Sequence, residues 1–351
     1  MTIQEMFAET ARLDASDLHL IAGFAPMIRI YEKLVMIDGT SVLNPAAIEE
    51  LVFSMMTSEQ KELFLANKEL DYSFETNVGR FRANIYYQKG TVAGAYRHIP
   101  NKIRSIEELG LPPILYEFAK LRQGLVLLTG PTGEGKSTTL AAMIQHINET
   151  KAVHIITVED PIEYVYPPGL AIVSQREMHA DTHSWSIALR SILREDPDVV
   201  LVGEMRDYET ISSALTIAET GHLVLATLHT NSASQSIDRI VDVFPENQQQ
   251  QIRLQLSNVI EGVVSQRLVP AIAGGRVAVS EIMTGIPAVR SIIRDGKTNQ
   301  LDNVLLTSSE YSMRTLEMSL AKAVMDGKVR MDVATSYAIR PEDLARMIKH
   351  A

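Results

Sequence analysis

Apolar and polar residues alternate strictly over Arg80–Ile85: Phe81, Ala83 and Ile85 share one face of an extended chain, and Arg80, Arg82 and Asn84 share the other. That is the pattern of a half-buried antiparallel strand, within a region of period two running from Asp71 to Pro100. Met27–Ile30 and Val92–Ala95 are further strand candidates, and Asn44–Met56 and Ser58–Leu65 read as helices, so residues 1–100 predict a small α+β domain. Pro100–Pro113 carries three prolines and several charges, as a linker would. Beyond it the pattern changes to short β-branched runs, each followed by a helical period, which predicts a mostly parallel sheet covered by helices. One such helix places Trp185, Ala188, Leu189, Ile192 and Leu193 on a single stripe, with Arg190 and Arg194 opposite, and stops at Asp196–Pro197. Another places Ile211, Ala214, Leu215 and Ala218 on a stripe before Gly221, a plausible left-handed cap.

The length of 351 residues corresponds to about two domains at roughly 150 residues each. The net charge of −10 leaves no global cationic field for nucleic acid or anionic lipid, although a local basic patch stays open. The absence of cysteine excludes disulfides and thiolate metal sites. No apolar run reaches a membrane-spanning length, and the first residues carry acids where a secretory leader would be basic and then apolar. The expectation is a soluble protein of a reducing compartment.

The chemistry concentrates after the buried run Leu125–Thr129. Gly130, Pro131, Thr132, Gly133, Glu134, Gly135, Lys136 and Ser137 form the G-x-x-x-x-G-K-[ST] phosphate loop in its strand–loop–helix setting, with Thr138 and a helical pattern to about Ile147 behind it. Glycines let successive N–H groups face the phosphates, the helix start adds its positive end, Lys136 supplies a point charge, and the Ser137 hydroxyl reaches Mg²⁺. A second buried strand, Asp198–Val202, leads to Glu204, placed to hold a metal-bound water; the plain alternative is a carboxylate marking where the strand meets solvent. Between them, Ile155–Glu159 runs into Asp160, Pro161 and Glu163; Glu163 is the candidate to orient a hydrolytic water, against the alternative of solvated turn acids. Leu223–Leu228 is flanked by His222 and His229. Histidines there are as readily structural as functional, and His229, at the carboxyl end, is the better γ-phosphate sensor. His179 and His183 stand four apart with no third ligand in view, which does not make a metal site.

Four blocks, GPTGEGKST, EDPIEY, DVVLVGEMRD and TGHLVLATLHTNSA, stand in an order and spacing that resemble the Walker A, Asp box, Walker B and His box of the type II/IV secretion ATPases. GRFRANIYYQ, IVDVFP and GGRVAVSEIM bring the resemblance closest to the pilus-retraction branch of that family, over almost the whole chain. The resemblance implies an α/β architecture: a PAS-like domain over 1–100, a linker over 101–118, and a RecA-like P-loop ATPase domain over 119–351 with a C-terminal helical region. It also implies ATP and Mg²⁺ as ligands and a homohexameric ring. Residue by residue, Lys136 and Ser137 would bind phosphate and metal, Glu163 would be the catalytic glutamate, Glu204 the Walker B acid, and His222 and His229 the His box. Arg82 and Arg97 resemble arginines that reach the nucleotide across domains; read by themselves they are charges on a solvated strand face. The implied partners are an inner-membrane pilus platform protein and a second retraction ATPase, at the cytoplasmic face of the inner membrane, with no nucleic acid and no membrane insertion.

Two departures stand out. Glu134 occupies a loop position where the family usually has serine, and its carboxylate is expected to face solvent or pair with an arginine. Ala288–Asp295 resembles the AIRNLIRE motif associated with retraction but differs at Val289, Ser291, Ile292 and Asp295; it reads equally as an ordinary amphipathic helix. A secretion or pilus-extension ATPase, a nucleic-acid translocase and an ATP-set regulatory module are the competing readings; the extension enzymes usually carry a tetracysteine zinc module that a cysteine-free chain cannot build.

Overall fold

The computed structural model describes residues 1–30, 33–99 and 102–349. Pro100 and Asn101, at the expected junction, lie outside the described residues. The chain divides into two compact units, Met1–Lys102 with Glu163–Val165 and Ile103–Ile162 with Tyr166–Ala351.

In the first unit, α1 (Ile3–Arg12) precedes β1 (Asp17–Leu20), β2 (Met27–Ile30) and β3 (Lys33–Met36), then α2 (Pro45–Phe53) and α3 (Ser58–Asn67), then β4 (Glu69–Thr76), β5 (Gly79–Gln88) and β6 (Thr91–Ile99). The strands form one antiparallel sheet in the order β3-β2-β1-β6-β5-β4. The alternation read from the sequence sets its faces: Phe81, Ala83 and Ile85 are fully buried with Phe7, Ile48 and Phe64 from the helices. Helix starts obey their caps, Thr2 and Thr57 each forming a reciprocal capping box and Asn44 accepting from Ala47 N–H.

The second unit runs α4 (Ile114–Lys120), β7 (Gly124–Thr129), α5 (Lys136–Thr150), β8 (His154–Glu159), β9 (Ile172–Glu177), α6 (Trp185–Ile192), β10 (Val199–Val202), α7 (Tyr208–Glu219), β11 (Leu223–Leu228), α8 (Ala233–Asp242) and α9 (Glu246–Val259). The hairpin β12 (Ile260–Pro270) and β13 (Arg276–Thr284) follows, then α10 (Pro287–Arg294), α11 (Leu301–Thr307), α12 (Leu316–Met325), α13 (Met331–Tyr337) and α14 (Pro341–Lys349). Its sheet has the order β13-β12-β7-β11-β10-β8-β9, parallel except for β13. Strands β7, β10 and β11 are buried at every position, which is why their sequences read as continuous apolar runs.

Two expectations change. From residue 103 onward the stretch read as a linker belongs to the second unit: Ile106, Leu111, Leu115 and Phe118 are buried in its core, the last two on α4. The stripe on α6 ends one residue early, because the helix stops at Ile192 and leaves Leu193 40% exposed as its cap.

Candidate nucleotide site

The register of the parallel strands decides what can meet. Gly124 to Thr129 on β7 pair with Leu223 to Leu228 on β11, and Val202 on β10 pairs with Ala226 and Val158. The carboxyl ends of β7, β8, β10 and β11 therefore lie side by side, and whatever follows Thr129, Glu159, Val202 and Leu228 gathers at one edge of the sheet, where open α/β sheets bind ligands.

The phosphate loop is built there from close backbone approaches. A Cβ on Gly130 would come within 2.5 Å of the Gln266 carbonyl on β12, and Gly135 caps α5 in the left-handed region at φ +77°, so neither position accommodates a larger residue without strain. Lys136 opens α5 and is only 8% exposed; its Nζ donates to the carbonyl oxygens of Gly130 at 2.8 Å and Pro131 at 2.9 Å. A nearly buried ammonium curled on its own loop holds its charge where terminal phosphates would lie over the helix start.

The loop is also tied to β12 by residues the motifs do not contain. The Gln266 amide donates to the Glu134 carbonyl at 2.6 Å and accepts from the Thr139 hydroxyl at 2.8 Å, while Thr129 and Ser265 hydroxyls meet at 2.7 Å. The Glu134 carboxylate accepts from the main-chain N–H of Leu268, and its charge acts on Arg267. The sequence predicts a carboxylate that faces solvent or pairs with an arginine; Glu134 is instead half-buried and fastened to a strand backbone. The available signal for these contacts was the polar Ser265–Arg267 interruption within an otherwise apolar strand run.

Past β10, Glu204 is the centre of the polar cluster. Its carboxylate pairs with Arg206 at 2.7 Å and with His229 Nε2 at 3.3 Å, and His229 Nδ1 lies 3.5 Å from the Thr132 hydroxyl on the phosphate loop. Burial alone pushes the Glu204 carboxyl up, but the Arg206 hydrogen bond, with the charges of Arg206, His229 and Lys136, outweighs it and holds the group below the usual carboxylate range. An ionised carboxylate and the Ser137 hydroxyl at the start of α5 are hard oxygen donors of the kind Mg²⁺ takes beside phosphates, so the residues fit that ion.

Other candidates fall elsewhere. His222 precedes β11 at the opposite end of the sheet: its carbonyl accepts from Gly124 N–H, and its ring is held by Ile217 O at 3.0 Å and the Thr220 hydroxyl at 3.1 Å. Six residues of strand separate it from His229, roughly 20 Å, so the two histidines do not share one nucleotide within the chain. Glu163 is exposed and, with Tyr164 and Val165, is grouped with the first unit. Arg82 and Arg97 sit directly opposite each other on β5 and β6, a like-charge pair moderated by Asp71 at 3.7 Å from Arg82 and Asp17 at 3.0 Å from Arg97. Among the described residues no helix is long and apolar enough to cross a membrane.

Comparison with known proteins places the chain in a family. The type II/IV secretion system protein family matches residues 103–276. The chain is 46% identical over 344 residues to the type IV pilus retraction ATPase PilT of Pseudomonas aeruginosa, covering 98% of this chain and 100% of that protein. It is 45% identical over 327 residues to a twitching motility protein of Neisseria gonorrhoeae, covering 93% and 87%. The crystal structure of the pilus retraction motor PilT with bound ADP superimposes at a TM-score of 0.93, with 44% identity and 99% of both chains covered. With the phosphate loop, Glu204 and His229 meeting at one sheet edge, and with identity to the retraction ATPase over nearly the full length, the chain belongs to the PilT family of pilus retraction ATPases within the type II/IV secretion system proteins.

Proposed function

We propose that this chain hydrolyses ATP at the loop Gly130–Ser137 and uses the free energy to power type IV pilus retraction and twitching motility. The observation that carries the reading is His229, which spans from Thr132 on the phosphate loop to Glu204 and so connects loop, carboxylate and sensor in one polar contact chain.

In this reading Lys136 and the loop N–H groups hold the β- and γ-phosphates, with Pro131, Thr132, Gly133, Glu134 and Thr138 shaping the cradle. Ser137 and Glu204 would hold Mg²⁺, which would neutralise charge on the phosphate oxygens. Glu163 orients the attacking water, and Arg82 and Arg97 from the N-terminal domain, which stand opposite each other on β5 and β6, stabilise developing charge. His229, between Glu204 and the loop, reports phosphate occupancy. His222, at the other end of β11, is outside the Thr132–His229–Glu204 contact chain. The N-terminal PAS-like domain and the RecA-like domain act as a homohexameric ring at the cytoplasmic face of the inner membrane. Cycles of ATP binding and product release move the domains against a pilus platform protein, with a second retraction ATPase as a further partner.

The test is phosphate release by the purified protein supplied with ATP and Mg²⁺. Lys136→Ala is expected to abolish nucleotide binding, and Glu163→Gln to retain binding while turnover falls about 100-fold. A folded protein that ignores adenine nucleotides refutes the reading, and normal turnover in Glu163→Gln moves the water-orienting role elsewhere.

A further inference from the structure

The turn after β11 carries His229 into the site, and what fixes that turn is not in the nucleotide motifs. Part of its bonding is local: the Thr230 hydroxyl meets Ser236 at 2.6 Å, Asn231 N–H donates to Gln235 at 3.1 Å, and the Ser232 side chain caps α8. These bonds move with α8 and fix nothing relative to the sheet. Two polar contacts come from the β12–β13 hairpin. Arg267 Nη2 donates to the Asn231 side-chain oxygen at 2.9 Å and to its carbonyl at 3.3 Å, and Glu281 Oε1 accepts from Ala233 N–H, the first residue of α8, at 2.7 Å.

Glu281 is 2% exposed and stands opposite Ser265 on β12, which in turn pairs with Thr129, the last residue before the phosphate loop. It therefore sits in the same cross-strand row as the base of that loop. Burial pushes its carboxyl up to about 7; Asp302 on α11 and Glu317 on α12 add to the rise, while the Ala233 N–H and Arg340 oppose it. A buried carboxylate is a costly way to satisfy one N–H, because a glutamine of the same shape would accept the same bond with less desolvation. What the carboxylate adds is charge: it acts on Arg267, whose guanidinium is itself desolvated and which binds Asn231.

We propose that Glu281 is a positioning residue for ATP hydrolysis, fixing the Thr230–Ala233 turn to the sheet directly through Ala233 and indirectly through Arg267, and so setting His229 between Thr132 and Glu204. The inference rests on the site reading given above. Glu281 touches neither nucleotide nor reacting water; it acts through His229.

The test is steady-state ATP turnover in a double-mutant cycle with His229→Ala. Glu281→Ala is expected to lower kcat about tenfold with KM for ATP within about twofold, and Glu281→Gln, which keeps the acceptor for Ala233 N–H but not the charge acting on Arg267, to recover part of the loss. In the His229→Ala background the same Glu281→Ala change is expected to have little further effect, since its route to the site is already gone. Asn231→Ala, at an exposed position, removes the shorter of the two Arg267 contacts and leaves the one to the main-chain carbonyl, without touching the buried carboxylate; it is expected to lower kcat in the same His229-dependent way, so the proposal stays testable if Glu281→Ala fails to fold. Equal fold-losses with and without His229, or a wild-type kcat in both folded Glu281→Ala and Asn231→Ala, overturn this inference alone. A His229→Ala protein with wild-type turnover overturns the site reading as well.

Discussion

The segment Ala288–Asp295 can be a functional motif or an ordinary amphipathic helix, and its two arginines separate the alternatives. Arg290, with a side chain 24% exposed, folds back from α10 onto the carboxyl end of α9: it donates to the carbonyls of Ser257 at 3.1 Å, Asn258 at 2.5 Å and Gly285 at 2.6 Å, and pairs with Glu261 at 2.7 Å. The Ser257 and Asn258 carbonyls are in the last turn of α9, where intrahelical partners run out and a cation is favoured. Hydrogen bonds from a charged donor are worth about 1.5 kcal/mol each net when buried, and the partial exposure of this side chain and its ion pair discounts them, so Arg290→Ala should cost about 3 kcal/mol. For a unit of this size that lowers the melting temperature by about 6–12 °C. Arg294, on the exposed side of α10, should change stability by less than about 0.5 kcal/mol when replaced by alanine. Thermal denaturation of nucleotide-free protein followed by circular dichroism measures both. Arg290→Ala melting within a degree of wild type refutes the clamp. A pilus-retraction defect in Arg294→Ala with unchanged melting and turnover assigns the outer face of α10 to a partner.

Three further outcomes follow from the site. Glu134→Ser removes a negative charge from the loop, about 2 kcal/mol per phosphate charge at 8 Å and an effective dielectric near 20 before screening, but also releases the Leu268 tie; ATP binding by fluorescence titration should tighten by less than about tenfold. His229→Ala should lower turnover at least about tenfold while His222→Ala leaves it within about twofold, because only His229 stands at the phosphate edge; equal effects in a phosphate-release assay contradict the placement. The Glu281 carboxyl titrates near 7 when folded against an ordinary value of 4.5 unfolded, so the native state holds that proton more tightly. Its contribution is fully present below pH 4.5 and is lost as pH rises through about 7, amounting to at most about 3 kcal/mol. Denaturant unfolding of wild type and Glu281→Gln should diverge across that window and run parallel above it.

The parts of the molecule legible in the sequence are those whose physics is local. Leu125–Ser137 declares strand, loop and helix in one contiguous stretch, and the alternation of Phe81, Ala83 and Ile85 states which face of β5 is buried. Glu204 and His229 were legible because a parallel sheet puts every carboxyl end at the same edge. The same rule, applied strictly, removes His222, which the His box brings in by sequence proximity although a whole strand length intervenes. Gln266 and Leu268 support the loop from more than 130 residues away, by a strand register that no local pattern encodes. The segment after Lys102 looked like a linker from its prolines and charges; Ile106, Leu111 and Leu115 are spaced too irregularly to announce a buried face, yet they close the core beneath α5.

The most direct test of the whole account is the number and dynamics of surface pili in cells whose only copy of this gene encodes Lys136→Ala. Abundant fibres that extend and never shorten are expected, with no twitching, as in cells lacking the protein altogether. Cells with no fibres, or with fibres that retract at the wild-type rate, would contradict it.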